Sequence, residues 1–156
     1  MRRVWLGLGV VACIAAWTPR ADAIEYFSPP VDLGPGANWT NYIRFADLDG
    51  DLDPDVVAPN CGGFFANPSA QPFRIFRNDG GTFVDATLAS LGVNPTLAVR
   101  VVAIGDIEGD GDLDLFLASA DGTLDRLMVN DGSGAFTDQT SLRLPADTAS
   151  RSAAAR

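Results

Sequence analysis

Ten carboxylates in two short windows are the residues of this chain best spaced to do chemistry. The first window runs Asp47-Leu48-Asp49-Gly50-Asp51-Leu52-Asp53-Pro54-Asp55. The second runs Asp106-Ile107-Glu108-Gly109-Asp110-Gly111-Asp112-Leu113-Asp114. Each places an acid at positions 1, 3, 5, 7 and 9 and a glycine at position 4. Like charges this close repel unless a cation sits among them. Calcium takes six to eight oxygen ligands, and a loop with this spacing can wrap it; magnesium demands a stricter octahedron and keeps its waters. The expected ligands are side chains at positions 1, 3, 5 and 9 and the backbone carbonyl at position 7, with water completing the shell. Asp47, Asp49, Asp51, Asp53 and Asp55 therefore form one candidate Ca²⁺ site, and Asp106, Glu108, Asp110, Asp112 and Asp114 a second. Gly50 and Gly109 let the backbone fold tightly around the ion. An EF-hand needs Gly at position 6 and Glu at position 12; position 6 is Leu52 or Gly111, position 12 is Ala58 or Leu117, and the flanks are strand-like. Paired carboxylates can act as acid and base, but these are committed to metal.

The loops must be held by short strands. β-branched and aromatic residues cluster between Gly, Asn and Asp turns. They predict strands over Tyr42–Ala46, Asp55–Ala58, Pro72–Arg77 and Thr82–Asp85, and again over Val99–Gly105, Asp114–Ser119, Arg126–Asn130 and Ala135–Thr137. A helical turn is expected over Ala86–Leu91. The sequence repeats throughout this stretch: Asn78-Asp79-Gly80 precedes Phe83, and Asn130-Asp131-Gly132 precedes Phe136. These turns lie 52 residues apart, whereas the acidic loops lie 59 apart, so the first copy holds a seven-residue insertion around Cys61. Four strands per repeat of this length is the pattern of β-propeller blades. In such a meander the acidic loop and the Asn-Asp-Gly turn share one end, and the insertion, with Phe64 and Phe65, lies at the other. Ligand contact is expected on that insertion face.

Composition excludes several functions. The net charge is −9, and ten of the 20 acids lie in the two windows, so the acidity is local. There is no basic patch for nucleic acid, and all 11 basic residues are Arg. The chain contains no His, which removes Ser-His-Asp and Cys-His catalysis and His-ligated zinc. No catalytic residue is expected. Residues 1–23 read as a signal peptide: Arg2 and Arg3, an apolar stretch from Val4 to Trp17, and Ala21-Asp22-Ala23 before the cut. That stretch is short for a membrane span. The protein is expected to be secreted, periplasmic or at the cell surface; a lipid on Cys13 is the alternative. Cys61, the cysteine left after cleavage, reads as a small loop residue.

Both acidic windows, followed by Val56-Val57-Ala58 and Leu115-Phe116-Leu117-Ala118, resemble FG-GAP/VCBS repeats, the calcium-loop repeats of the integrin alpha-chain N-terminal propeller and of many secreted bacterial proteins. The resemblance covers about residues 42–140. It departs from the family pattern at Phe45-Ala46, Ile104-Gly105, Leu52 and Glu108. The resemblance implies an all-β fold of two four-stranded antiparallel β-propeller blades with calcium loops, part of a larger propeller. The expected layout is 1–23 signal peptide, 24–41 N-terminal linker or closing strand, 42–91 first blade, 92–144 second blade and 145–156 the start of a third. The implied function is a calcium-stiffened module that binds or adheres to an extracellular protein or glycan. The alternative is a non-catalytic accessory domain or fragment of a larger exported enzyme. Open blade edges are expected to self-associate.

Overall fold

In a computed structural model, residues 38–40, 42–63, 68–120 and 123–145 are described. The expected signal peptide, Phe64 and Phe65 of the insertion, and residues 146–156 of the expected third blade lie outside them. The described residues build two four-stranded antiparallel sheets and one small sheet. The first large sheet consists of β1 (Arg44–Ala46), β2 (Asp55–Ala58), β5 (Arg74–Asp79) and β6 (Thr82–Asp85), in that spatial order. The second consists of β8 (Val99–Gly105), β9 (Asp114–Ser119), β10 (Arg126–Asn130) and β11 (Phe136–Asp138), again a simple meander. No helix among the described residues is long and apolar enough to cross a membrane.

Five of the eight expected strands have the expected bounds, and the other three shift for physical reasons. β1 begins at Arg44 rather than Tyr42: Arg44 pairs with Val57, and β2 ends at Ala58 because Pro59 has no N–H to donate. The strand expected over Pro72–Arg77 is divided. Pro72 closes β4 (Ser69–Pro72) of the small sheet, and β5 begins only at Arg74. Phe73 is the crossing point: it is fully buried, and its N–H donates to the Pro95 carbonyl at 3.0 Å. β11 is displaced by one residue, to Phe136–Asp138.

The insertion is more than a connection. β3 (Cys61–Gly62) pairs with β4, and β4 pairs with β7 (Thr96–Leu97), tying the insertion to the segment that leads into the second sheet. Cys61 is therefore a strand residue, fully buried against Ala98 and Ala120, not the loop residue expected.

Each large sheet ends in a short helix, α1 (Thr87–Leu91) or α2 (Thr140–Arg143). The same device anchors both. The Thr87 hydroxyl accepts the Ile75 N–H and donates to Asp85 Oδ1; the Thr140 hydroxyl accepts the Leu127 N–H and donates to Asp138 Oδ1. Asp85 and Asp138 also pair with Arg74 and Arg126, which occupy matching places in the two copies. α1 ends where Gly92 takes the left-handed conformation at φ 68°, a position glycine adopts without steric cost.

The main core lies between the sheets. Val57 and Ile75 of the first pack with Val102, Leu115, Leu117, Met128 and Phe136 of the second, joined by Leu48, Phe73 and Val99. Burying side chains of this size contributes roughly 1.5–3 kcal/mol each. The opposite face of the first sheet holds a smaller cluster of Val56, Ala58 and Phe76.

Candidate metal loops

Both acidic windows connect the first and second strands of a large sheet, and the antiparallel meander brings the third-to-fourth turn to the same end. Hydrogen bonds join the two. The Asn78 N–H donates to Asp55 Oδ1 at 2.9 Å and the Gly80 N–H to Asp53 Oδ2 at 3.0 Å. In the second sheet the Asn130 N–H donates to Asp114 Oδ1 at 2.9 Å.

Inside the loops the same bonds recur at matching positions. Asp47 accepts the N–H groups of Gly50 (2.8 Å) and Leu52 (3.0 Å); Asp106 accepts those of Gly109 (2.6 Å) and Gly111 (3.0 Å). Asp51 Oδ1 accepts the Asp53 N–H, and Asp110 Oδ1 the Asp112 N–H. Asp55 Oδ2 accepts the Leu48 N–H, and Asp114 Oδ2 the Ile107 N–H. Both Asp55 and Asp114 are almost wholly buried. The equivalence extends to backbone handedness. Leu52 has φ 75° where its counterpart Gly111 has φ 100°, so the first loop keeps the turn despite losing the glycine.

The loops differ at position 3. In the first, Asp47, Asp49 and Asp55 each offer an oxygen within 4.8 Å of the others. Asp49 Oδ1 is buried and has no hydrogen-bond partner among the described residues; Arg77 Nε stands 3.8 Å from Asp49 Oδ2. A buried carboxylate oxygen without a donor is costly, and a cation is the partner its chemistry fits. In the second loop Glu108 is drawn instead onto Arg143 of α2. The longer arm of Glu thus reaches a cation outside its loop, and Arg143, far along the chain, gave no sign of this in the nonapeptide pattern. Asp51 and Asp110 are exposed, and Asp53 and Asp112 partly so.

The electrostatics follow this geometry. Burial, and next the charge of Asp51, push the Asp49 carboxyl above its usual range. Burial also raises Asp55, against the pull of the Asn78 and Leu48 N–H groups. Asp106 is lowered by the Gly111 and Gly109 N–H groups. Asp112 is raised by lost hydration and then by the charge of Asp110.

At the opposite end, Trp39 stands 61% exposed beside the small sheet. Its backbone is fixed on both sides: the N–H donates to Gln71 Oε1 at 2.7 Å and the carbonyl accepts the Cys61 N–H at 3.0 Å.

Comparison with known families finds a repeat model that fits the chain twice. The model of the FG-GAP-like repeat fits residues 64–117 and 106–156. The two matches overlap on the second acidic loop and together span more than half of the chain; the first loop precedes them. No curated protein and no solved structure matches the chain.

Proposed function

The chain belongs to the FG-GAP-like repeat family, and on that premise we propose that it is a secreted, calcium-stiffened binding module. Its two four-stranded sheets act as propeller blades, and its acidic loops hold one Ca²⁺ each. The observation that carries this reading is Asp49. A carboxylate oxygen buried without a donor, beside two further carboxylates, is arranged for a cation. In the first loop Asp47, Asp49, Asp51 and Asp55 would supply side-chain oxygens and Asp53 its carbonyl, the Asp53 carboxylate being bonded to the Gly80 N–H of the neighbouring turn. The second loop would use Asp106, Glu108, Asp110, the Asp112 carbonyl and Asp114, with Glu108 leaving Arg143 to do so. Bound metal stabilises the folded state by mass action.

The ions are structural and the partner surface lies elsewhere. It is the opposite end, where the small sheet holds Trp39 exposed and fixed. An exposed aromatic on a rigid backbone suits an extracellular protein or a sugar ring. The test is a glycan and protein array probed with the labelled chain, its Trp39→Ala variant, and the chain in EDTA. Binding in calcium that is lost in both other conditions supports the proposal. Binding unaffected by EDTA and by Trp39→Ala contradicts it.

A further inference from the structure

We propose that the two acidic loops are thermodynamically coupled and that Asn130 is the residue through which they communicate; this rests on reading both loops as calcium sites. Asn130 touches both at once. Its N–H donates to Asp114 Oδ1, position 9 of the second loop, at 2.9 Å, and its Nδ2 donates to the Leu113 carbonyl of that loop at 3.1 Å. The same Nδ2 donates to the Leu48 carbonyl, position 2 of the first loop, at 2.8 Å. Leu48 lies between Asp47 and Asp49, two of the three converging carboxylates. Asn130 Oδ1 accepts the N–H groups of Gly132 (3.2 Å) and Gly134 (3.1 Å), so the side chain cannot turn away without releasing its own turn.

That turn also presses on the first loop. A Cβ at Gly134 would lie 3.3 Å from the Asp49 Cβ, and one at Gly50 would lie 3.9 Å from the Gly132 carbonyl oxygen. Asn78, the counterpart of Asn130, behaves differently. It donates to Asp55 Oδ1 and to the Pro54 carbonyl and accepts the Gly81 N–H, bonds that stay within the first loop and its own sheet.

An ion that fixes Asp114 therefore fixes Asn130, and Asn130 in turn holds Leu48 and the acids on either side of it. Filling one loop pre-organises the other, so the coupling is positive, and linkage makes it reciprocal.

The test is a calorimetric Ca²⁺ titration of the full chain in four forms: wild type, Asp110→Ala, Asn130→Ala and the double variant. Asp110→Ala removes a ligand of the second loop outright, where Asn would still offer calcium an amide oxygen, and the Asp112 N–H it releases lies at an exposed turn. It should weaken the first loop about five-fold, the effect of one hydrogen bond on an equilibrium constant. With Ala at position 130, Asp110→Ala should leave the first loop unchanged. Asp51→Ala should weaken the second loop by the same factor, and Asn78→Ala should lower first-loop affinity but preserve that factor. If Asn130→Ala does not fold, the two silencing variants decide: equal factors support coupling. Two filled loops that ignore each other overturn the coupling alone. Coupling that survives Asn130→Ala overturns the assignment to Asn130. Absence of calcium from both loops overturns the calcium reading and the coupling with it.

Discussion

Replacing Asp49 by Asn should move stability in opposite directions with and without calcium. In the metal-free chain Asp49 faces Asp47 and Asp55 with ligand oxygens no more than 4.8 Å apart. At that separation each like-charge pair costs about 0.9 kcal/mol at the dielectric constant of water and about 3.5 kcal/mol at an effective value of 20. Screening at this partly exposed site favours the lower figure, and Arg77 offsets some of the repulsion. Asn removes the charge, and its Nδ2 can donate to the neighbouring carboxylates, giving the orphaned position a bond. The expected gain in EDTA is about 1–2 kcal/mol. In calcium the sign reverses. The variant trades a charged ligand for an amide carbonyl, and a roughly hundred-fold weaker first site forfeits about 2.3 kcal/mol at a hundred-fold excess of calcium over the wild-type Kd. Urea unfolding with paired EDTA and calcium series measures both. An Asp49→Asn variant no more stable than wild type in EDTA, or equally stabilised by calcium, would refute the reasoning.

Three further outcomes are expected. Leu52→Gly should stabilise the chain: a non-glycine left-handed residue costs about 1–2 kcal/mol, and the greater freedom of Gly when unfolded returns about 0.5–1 kcal/mol of that. A lower urea midpoint would count against the strain assigned to φ 75° at this exposed position. Leu115→Ala, in the core between the sheets, should cost about 2–5 kcal/mol and still give one transition; two separated transitions would show that the sheets unfold independently. In EDTA, stability from Asp49 and Asp55 should be fully present below the unfolded value of 3.8 and should fall as pH rises through their raised folded values, because the native state there holds protons the unfolded chain has released. The advantage of Asp49→Asn over wild type should therefore widen from about pH 4 to about pH 7, and a constant difference would contradict the raised carboxyl.

Much of the scaffold was legible because each large strand is bounded by residues that force a turn. Asp114–Ser119 sits between a glycine-bearing acidic loop and a later turn, and its apolar content leaves no other reading. The small sheet was hidden because Cys61–Gly62 and Thr96–Leu97 are too short for any periodicity, and they are strands only because β4 lies between them. The helix anchors do carry a signal in the sequence: Asp85-Ala86-Thr87 and Asp138-Gln139-Thr140 recur 53 residues apart. Their role appears only when the hydroxyl is seen to close on the third strand.

The site was legible as a pattern but not as geometry. Ten alternating acids specify two equivalent loops, yet only one loop gathers position 3 with positions 1 and 9 among the described residues. The cause is Arg143, 35 residues beyond Glu108. The bond from Asn130 to Leu48 spans 82 residues, and no local pattern encodes it. The first is a contact within the second copy, between its acidic loop and α2; the second follows from stacking the second sheet on the first.

Calcium stoichiometry tests the central claim most directly. Calorimetric titration of the full chain should show two sites, with Asp47→Ala and Asp106→Ala each losing one and magnesium failing to replace calcium at either. A chain that takes up no calcium, or two bound ions unaffected by both substitutions, would contradict the assignment of the loops.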